Sequence, residues 1–211
     1  VAVARGIVSF ALGTDTAGSG RVPAALNNLV GLKPSVGAVP TLGVVPACRT
    51  LDVVSVFALT VDDAWAAFSV MAGPEAEDSF SRPIVMGKPG PAPSSPVLGI
   101  PRADQLVFGG DGLSAKAWDA ALALYKDLGA RLVEIDMEPF FETARILYEG
   151  AYVAERYAAV RRFIEERPDD MHPVTRRIIE GARKFSAADA FDAQYRLADL
   201  RRVTAPVWRG I

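Results

Sequence analysis

The sequence has little of the two residue types on which many catalytic and metal sites depend. Its 211 residues include one cysteine, Cys48, and one histidine, His172. A disulfide within the chain is therefore excluded, and a metal cluster built on His and Cys ligands lacks the residues to fill it. His172 lies in a polar, Asp-rich stretch that reads as the lead-in to a helix. If the protein is a hydrolase, we expect its base to be a residue other than histidine.

The chain also lacks an excess of either charge and a long apolar run. Its formal net charge is −2 and its pI is near 5.5, which argues against a nucleic-acid footprint or a membrane-binding surface. No apolar run reaches the roughly 18 residues of a membrane span. Residues 1–12 are apolar but contain Arg5 and lead directly into a Gly-rich loop, so we predict that they form a buried element. A single cysteine fits a reducing compartment, and the predicted location is the cytoplasm.

Hydrophobic periodicity and turn residues predict alternating strands and helices. We predict strands at 44–45, 53–58, 97–100 and 131–135, and a Gly/Thr/Ser loop at 13–24. Predicted helices are one capped by Thr60 and stopped at Gly73, then 114–128, 138–166, 173–184, and one capped by Ser186 that runs towards Pro206. The strand–helix–strand order between 97 and 135 indicates an α/β unit.

The most informative stretch is residues 13–25, which read GTDTAGSGRVPAA. Small neighbours on both sides of Ser19 would let a substrate carbonyl approach the backbone. The predicted oxyanion donors are the successive N–H groups of Thr16, Ala17, Gly18 and Ser19 itself. This arrangement is typical of a serine nucleophile in an acyl-transfer site.

Asp15 and Arg21 flank that loop and are predicted to pair across it, which would fix its shape. A phosphate-binding P-loop would need lysine where Ser19 stands, and the nucleophile elbow of α/β-hydrolases would need glycine in place of Ala17. Neither motif fits. The remaining alternative is a Gly-rich turn whose hydroxyls only satisfy backbone groups.

The same stretch resembles the amidase signature, in which Asp-x-(Gly/Ala)-Gly-Ser-x-Arg-x-Pro-Ala surrounds the nucleophilic serine. Residues 28–37, 50–52 and 59–64 are also similar to that family, and the match is close over roughly the first 75 residues. The resemblance implies an α/β fold with a mixed β-sheet flanked by helices. We expect residues 1–211 to be an internal part of one such domain, incomplete at both ends. Its parts would be a signature core (1–78), a Pro-rich loop (79–96) and an α/β and helical substrate-binding part (97–211).

In that family a Ser–Ser–Lys triad works without histidine, and the resemblance gives Ser19 the role of nucleophile. The relay serine and the base lysine are expected upstream of Val1, so neither is named, and Lys33 is given only a structural role. We therefore expect this piece alone to be inactive. The resemblance implies no metal and no cofactor.

Two further stretches, 44–58 and 147–157, look like the allophanate hydrolase branch of the family. On one continuous helix Tyr148, Tyr152 and Arg156 would form a stripe at i, i+4 and i+8. By resemblance, Tyr148 and Arg156 would hold the substrate's carboxylate, for which a planar guanidinium is suited. The alternative is an aromatic–Arg surface patch.

The predicted function is hydrolysis of allophanate through an acyl-enzyme, which releases ammonia and carbon dioxide. The expected partner is a small anionic amide, with no nucleic acid and no membrane, and a homodimer is left open. Alternatives are another family member, either the catalytic component of an amidotransferase or a general amidase, and a non-catalytic fragment that retains the fold. Cys48 is predicted to be a small buried filler without a catalytic role.

Overall fold

The computed structural model describes residues 1–87, 89–91 and 93–211. Its strands are β1 (Phe10–Thr14), β2 (Val30–Leu32), β3 (Val54–Ala58), β4 (Val97–Pro101) and β5 (Arg131–Ile135). Its helices are α1 (Arg21–Leu26), α2 (Val61–Met71), α3 (Gly112–Asp127), α4 (Glu138–Glu149), α5 (Val153–Glu166), α6 (Pro173–Glu180) and α7 (Ala187–Thr204). The chain divides into two compact units, the first made of Val1–Gly87 with Ala154–Gly181 and the second of Lys88–Val153 with Ala182–Ile211.

The first unit is built on a three-stranded antiparallel sheet with the order β1-β3-β2. The central strand β3 is rich in β-branched and small side chains and is buried at most of its positions. The register places Thr14, the last residue of β1, opposite Val54, the first residue of β3. The loop that follows β1 therefore emerges beside the chain that enters β3, and the Asp15 N–H donates to the Val53 carbonyl across 2.8 Å.

Helix α2 covers this sheet and supplies part of its core. The buried core residues are Ala38, Val39, Val56, Ala58, Ala64 and Phe68. Thr60 caps the helix, because its Oγ1 accepts from the Asp63 N–H at 3.1 Å. The predicted capped helix is therefore confirmed.

The second unit contains the predicted strand–helix–strand segment. Strands β4 and β5 are parallel and α3 connects them, as the residue pattern predicted. Helices α4 and α7 pack together, with Arg196 donating to both carboxylate oxygens of Glu142. The predicted capping box of Ser186 with Asp189 is present at the start of α7. No helix among the described residues combines the length and apolarity needed to cross a membrane.

The predicted continuous helix at 138–166 was wrong. Helix α4 ends at Glu149, and Gly150 takes an extended conformation with φ −95° and ψ −170° before α5 begins at Val153. A Cβ at Gly150 would lie 2.5 Å from the Ile146 carbonyl oxygen, so the chain turns there in a way that only glycine permits. The stripe of Tyr148, Tyr152 and Arg156 on one helix therefore does not form.

Three smaller predictions also differ from the structure. Val44 and Val45 lie in irregular chain and form no strand, and α1 begins at Arg21 inside the predicted loop. Residues 1–12 are mostly exposed, because 2–9 form turns and bends before the sheet begins and Phe10 and Leu12 lie on an exposed face of β1. The predicted Pro-rich loop at 79–96 contains no helix or strand among its described residues, and Lys88 and Ala92 lie outside them.

Gly31 of β2 fixes how closely α1 approaches the sheet. A Cβ added at Gly31 would lie 2.7 Å from Ala24 Cβ and 3.3 Å from Arg21 Cα. Neither contact is the end of a flexible side chain, so Gly31→Ala must displace α1. We expect a loss of about 1–3 kcal/mol in the free energy of unfolding, measured by urea denaturation.

The matched control is Gly181→Ala, since a Cβ there meets nothing within 4 Å and the backbone is helical at φ −55°. That variant should stay within about 0.5 kcal/mol of the wild type. Equal stability of the two variants would contradict the assigned role of Gly31.

Candidate active site

Ser19 lies on the exposed side of the loop that joins β1 to α1. Its Oγ donates to the Thr14 carbonyl at 3.1 Å. The flanking Gly18 and Gly20 are buried, and Gly18 has φ +119°, which side-chain-bearing residues rarely adopt. A Cβ at Gly20 would lie 3.1 Å from the Cβ atoms of both Asp15 and Ser55. The two glycines let the loop sit tightly on β3 while Ser19 between them stays exposed.

The loop closes around the carboxylate of Asp15, which is fully buried. Oδ1 accepts from the Gly18 N–H at 2.6 Å and from Arg21 Nη2 at 3.0 Å. Oδ2 accepts from the Arg21 N–H at 3.0 Å and from Arg21 Nε at 2.9 Å. The side-chain bond from Arg21 is the largest cause that holds the pKa of Asp15 far below its usual range, against the opposing effect of burial. The pairing predicted across the loop is therefore present.

The predicted oxyanion donors are only partly available in this arrangement. The Gly18 N–H is directed at Asp15, so it is already engaged in the loop's own structure. An oxyanion hole formed by the N–H groups of Thr16, Ala17, Gly18 and Ser19 stays a prediction. If the Gly18 N–H also stabilises an oxyanion, it would have to be shared between that oxygen and Asp15.

A second buried carboxylate, Asp52, holds the loop from the side of β3. The Thr16 hydroxyl donates to Asp52 Oδ1. The same side chain, which is 5% exposed, accepts from the Ala47 N–H at 2.8 Å and the Cys48 N–H at 3.1 Å. Sequence reasoning noted Asp52 only within a family resemblance and missed this role. The sole signal was an acidic residue immediately before a β-branched strand, which also occurs in ordinary turns.

Ser55 was also missed. It lies in β3 beneath Gly20, is 1% exposed, and its Oγ has no hydrogen-bond partner among the described residues. A hydroxyl buried in this way is uncommon in proteins. Lys33 is half-buried, and its Nζ donates to the Pro34 carbonyl at 2.6 Å. Burial is the largest cause that lowers the pKa of Lys33.

Arg156 lies in the first turns of α5 and hydrogen-bonds to the thiol of Cys48. Burial raises the pKa of that thiol, and the bond from the guanidinium opposes the rise. Cys48 is fully buried, as predicted. The preceding residue, Glu155, accepts from the N–H and from the hydroxyl of Thr50, both at 2.7 Å. Thus α5 is attached to the turn at 47–52.

Tyr148 belongs to the second unit, on α4, and is 55% exposed. The structure therefore brings Ser19, Asp15, Arg21, Thr16 and Arg156 into one compact unit, whereas Tyr148 lies in the other. A joint role for Tyr148 and Arg156 in binding a carboxylate stays a prediction.

The sequence is similar to characterised amidases over most of its length. The family described as Amidase matches residues 1–205. Urea amidolyase of Saccharomyces cerevisiae is 47% identical over 197 residues, which are 92% of this chain and 11% of that protein. A glutamyl-tRNA(Gln) amidotransferase component from Halorhodospira halophila is 33% identical over 232 residues, covering 99% of this chain and 48% of that protein.

The structure is similar to that of a solved allophanate hydrolase from Kluyveromyces lactis. The TM-score is 0.92 at 46% identity, with 100% of this chain and 34% of that chain covered. The chain thus spans about a third of the length of that solved relative. It spans a smaller share of the yeast urea amidolyase.

Asp15→Asn is expected to lower the free energy of unfolding by about 2 kcal/mol at neutral pH. The amide has one acceptor oxygen, so two of the four N–H donors would face an NH₂ group; the half-exposed Arg21 limits the loss. Because pairing lowers the pKa of Asp15 in the folded state, its stabilisation is complete above the ordinary carboxyl pKa of about 4. It declines as the pH falls further.

Urea unfolding at pH 7 and pH 3 checks this prediction. The difference between wild type and Asp15→Asn should be larger at pH 7 than at pH 3. Asp119→Asn, an exposed carboxylate on α3, serves as the control and should change little at either pH. A difference between wild type and Asp15→Asn that does not vary with pH would contradict the assignment.

Proposed function

This chain belongs to the amidase family, and on that premise we propose that it carries the nucleophile of an allophanate hydrolase. The predicted amidase-signature fold is confirmed by the family match and by the structural similarity to allophanate hydrolase. The observation that carries the proposal is the exposed position of Ser19, whose Oγ donates to the Thr14 carbonyl, on a loop that the pairing of Asp15 with Arg21 closes. A serine so placed can meet a substrate carbonyl without moving the buried part of the loop.

In the proposed reaction the Ser19 Oγ adds to the amide carbonyl of the substrate while its proton passes to a base. The bond to the terminal nitrogen then breaks, ammonia leaves with a proton, and a carbamate ester to Ser19 remains. Water cleaves that ester and restores the hydroxyl, and the released product, a nitrogen that carries two carboxyl groups, loses two molecules of carbon dioxide and leaves a second ammonia. Backbone N–H groups of the 16–19 stretch would stabilise the negative oxygen of each tetrahedral intermediate.

The proposed base is the lysine of the family's Ser–Ser–Lys triad, acting through a relay serine. No residue of this sequence is assigned to either role. His172 is exposed at the start of α6, and Asp15, held ionised by four N–H donors, is a very weak base. A desolvated lysine can be neutral enough to accept a proton, which fits this chemistry.

Allophanate is favoured as substrate because Arg156 supplies a cation on the same compact unit as Ser19. A small anionic amide needs such a charge for recognition, whereas a bulky apolar amide does not. The relatives titled urea amidolyase and allophanate hydrolase support the same substrate class. The cytoplasmic location belongs to this proposal and is supported by the single cysteine.

The amide-cleaving component of an amidotransferase is the second candidate, and the identity to the Halorhodospira halophila protein favours it. The two functions differ in the amide that is cleaved. Ammonia release from glutamine, with none from allophanate, would select the amidotransferase function.

Ser19→Ala in the intact gene product should reduce ammonia release from allophanate at least about 1,000-fold, because no other nucleophile replaces the hydroxyl. A coupled assay for ammonia measures the loss. Ser79→Ala, an exposed serine outside the loop, is the control and should keep normal turnover. Normal turnover by Ser19→Ala would rule out the proposed nucleophile.

Arg156→Ala should raise the KM for allophanate by about 10- to 100-fold with a smaller effect on kcat, since a charge-assisted contact to the bound substrate is lost. Steady-state kinetics of the intact gene product measures both constants. The control is Arg162→Ala, because Arg162 lies in the same segment, after the non-helical residue Val160, and its exposed side chain pairs only with Glu166 among the contacts described. An unchanged KM in Arg156→Ala would refute the substrate-binding role.

A further inference from the structure

The turn at 47–52 connects the helix that carries Arg156 to the loop between β1 and α1. That loop, residues 15–20, carries Ser19 and is called the nucleophile loop. At one end Asp52 binds the Thr16 hydroxyl and the N–H groups of Ala47 and Cys48. The turn is also closed internally, because the N–H groups of Leu51 and Asp52 both donate to the Cys48 carbonyl at 2.8 Å. Hydrogen bonds therefore hold the turn both internally and against the loop that carries Ser19.

At its other end the turn is held by α5. The two carboxylate oxygens of Glu155 accept separately from the Thr50 N–H and the Thr50 hydroxyl, each at 2.7 Å. The next side chain, Arg156, reaches the buried sulfur of Cys48 in the same turn. Two consecutive residues of α5 thus contact two residues of one turn. A bidentate carboxylate is geometrically more demanding than a single surface contact.

These contacts matter because arginine has a long and flexible side chain. Without a fixed helix, the guanidinium could occupy many positions relative to Ser19. A short substrate with its carboxylate close to the reacting carbonyl allows little variation in the position of the guanidinium that binds it, so a displaced guanidinium weakens binding.

We propose that Glu155 is a positioning residue: by holding Thr50 it sets the place of Arg156 relative to the nucleophile loop and so determines selection for a short anionic amide. This inference rests on the proposed function. Glu155 touches no substrate and acts through the turn and through Arg156. An acidic residue near the N-terminus of α5 would by itself stabilise the helix through its dipole. That effect does not require both carboxylate oxygens of Glu155 to contact Thr50.

The test is steady-state kinetics of the intact gene product with allophanate for four single variants. Glu155→Gln replaces one acceptor by an NH₂ group and should raise KM about tenfold, with kcat within about twofold. Thr50→Val, which removes the hydroxyl and keeps the N–H, should raise KM by a smaller factor. Thr50→Ser keeps the hydroxyl that Thr50→Val removes, and its KM should equal that of the wild type. Glu166→Gln, in the part of α5 that follows the non-helical residue Val160, is the control and should leave both constants unchanged.

A double variant separates positioning from a general loss of structure. If Glu155 acts through Arg156, Glu155→Gln should add little to the KM of Arg156→Ala. Labelling of Ser19 by a neutral sulfonyl fluoride should proceed at the wild-type rate in Glu155→Gln, because the nucleophile loop is held by Asp15 and Asp52.

Several outcomes would overturn the inference. They are an unchanged KM in Glu155→Gln, an undiminished effect of that change in the Arg156→Ala background, or slowed labelling of Ser19. If Glu155→Gln does not fold, an unchanged KM in Thr50→Val overturns it as well. Absence of allophanate turnover in the wild type would reject the proposed function and this inference together, whereas normal wild-type turnover with an unchanged KM in Glu155→Gln rejects the inference alone.

Discussion

The candidate site depends on one buried carboxylate. Asp15 is removed from water, and an ionised group in that position is tolerated only when donors replace its hydration. All four donors come from residues three and six positions later in the chain, so satisfying Asp15 dictates the path of the loop between them. Ser19 lies inside that path, and its exposed position follows from the carboxylate's requirement for partners.

The same requirement separates structural from chemical roles among the acidic residues. A carboxylate that accepts four N–H bonds gains little from a proton, so Asp15 is a poor candidate for a base at neutral pH. Asp52 is similarly surrounded by donors, from Thr16, Ala47 and Cys48. Both acids therefore define the geometry of the loop that carries Ser19.

Local rules in the sequence predicted local features well. The caps at Thr60 and Ser186 depend on residues three positions apart, and the unit from β4 to β5 depends on regular periodicity and short turns. Features set by distant pairing were missed. Strand β1 forms only because β3, about 40 residues later, supplies its hydrogen bonds, and no pattern within residues 1–14 contains that information. Val44 and Val45 have strand-forming side chains but lack a neighbouring strand.

The helix break at Gly150 explains why the sequence singled out Arg156 as a candidate for substrate binding but did not predict which residues lie next to it. Helical spacing grouped Arg156 with Tyr148 and Tyr152, and a single glycine in an otherwise helical pattern is not a sufficient reason to end a helix. Once the helix ends, the neighbours of Arg156 are decided by tertiary contact with the turn at 47–52. Arg156 itself can therefore be singled out by sequence similarity. Its surroundings include the contact between Thr50 and Glu155, which lie 105 residues apart in the chain, and only the folded structure brings these two residues together.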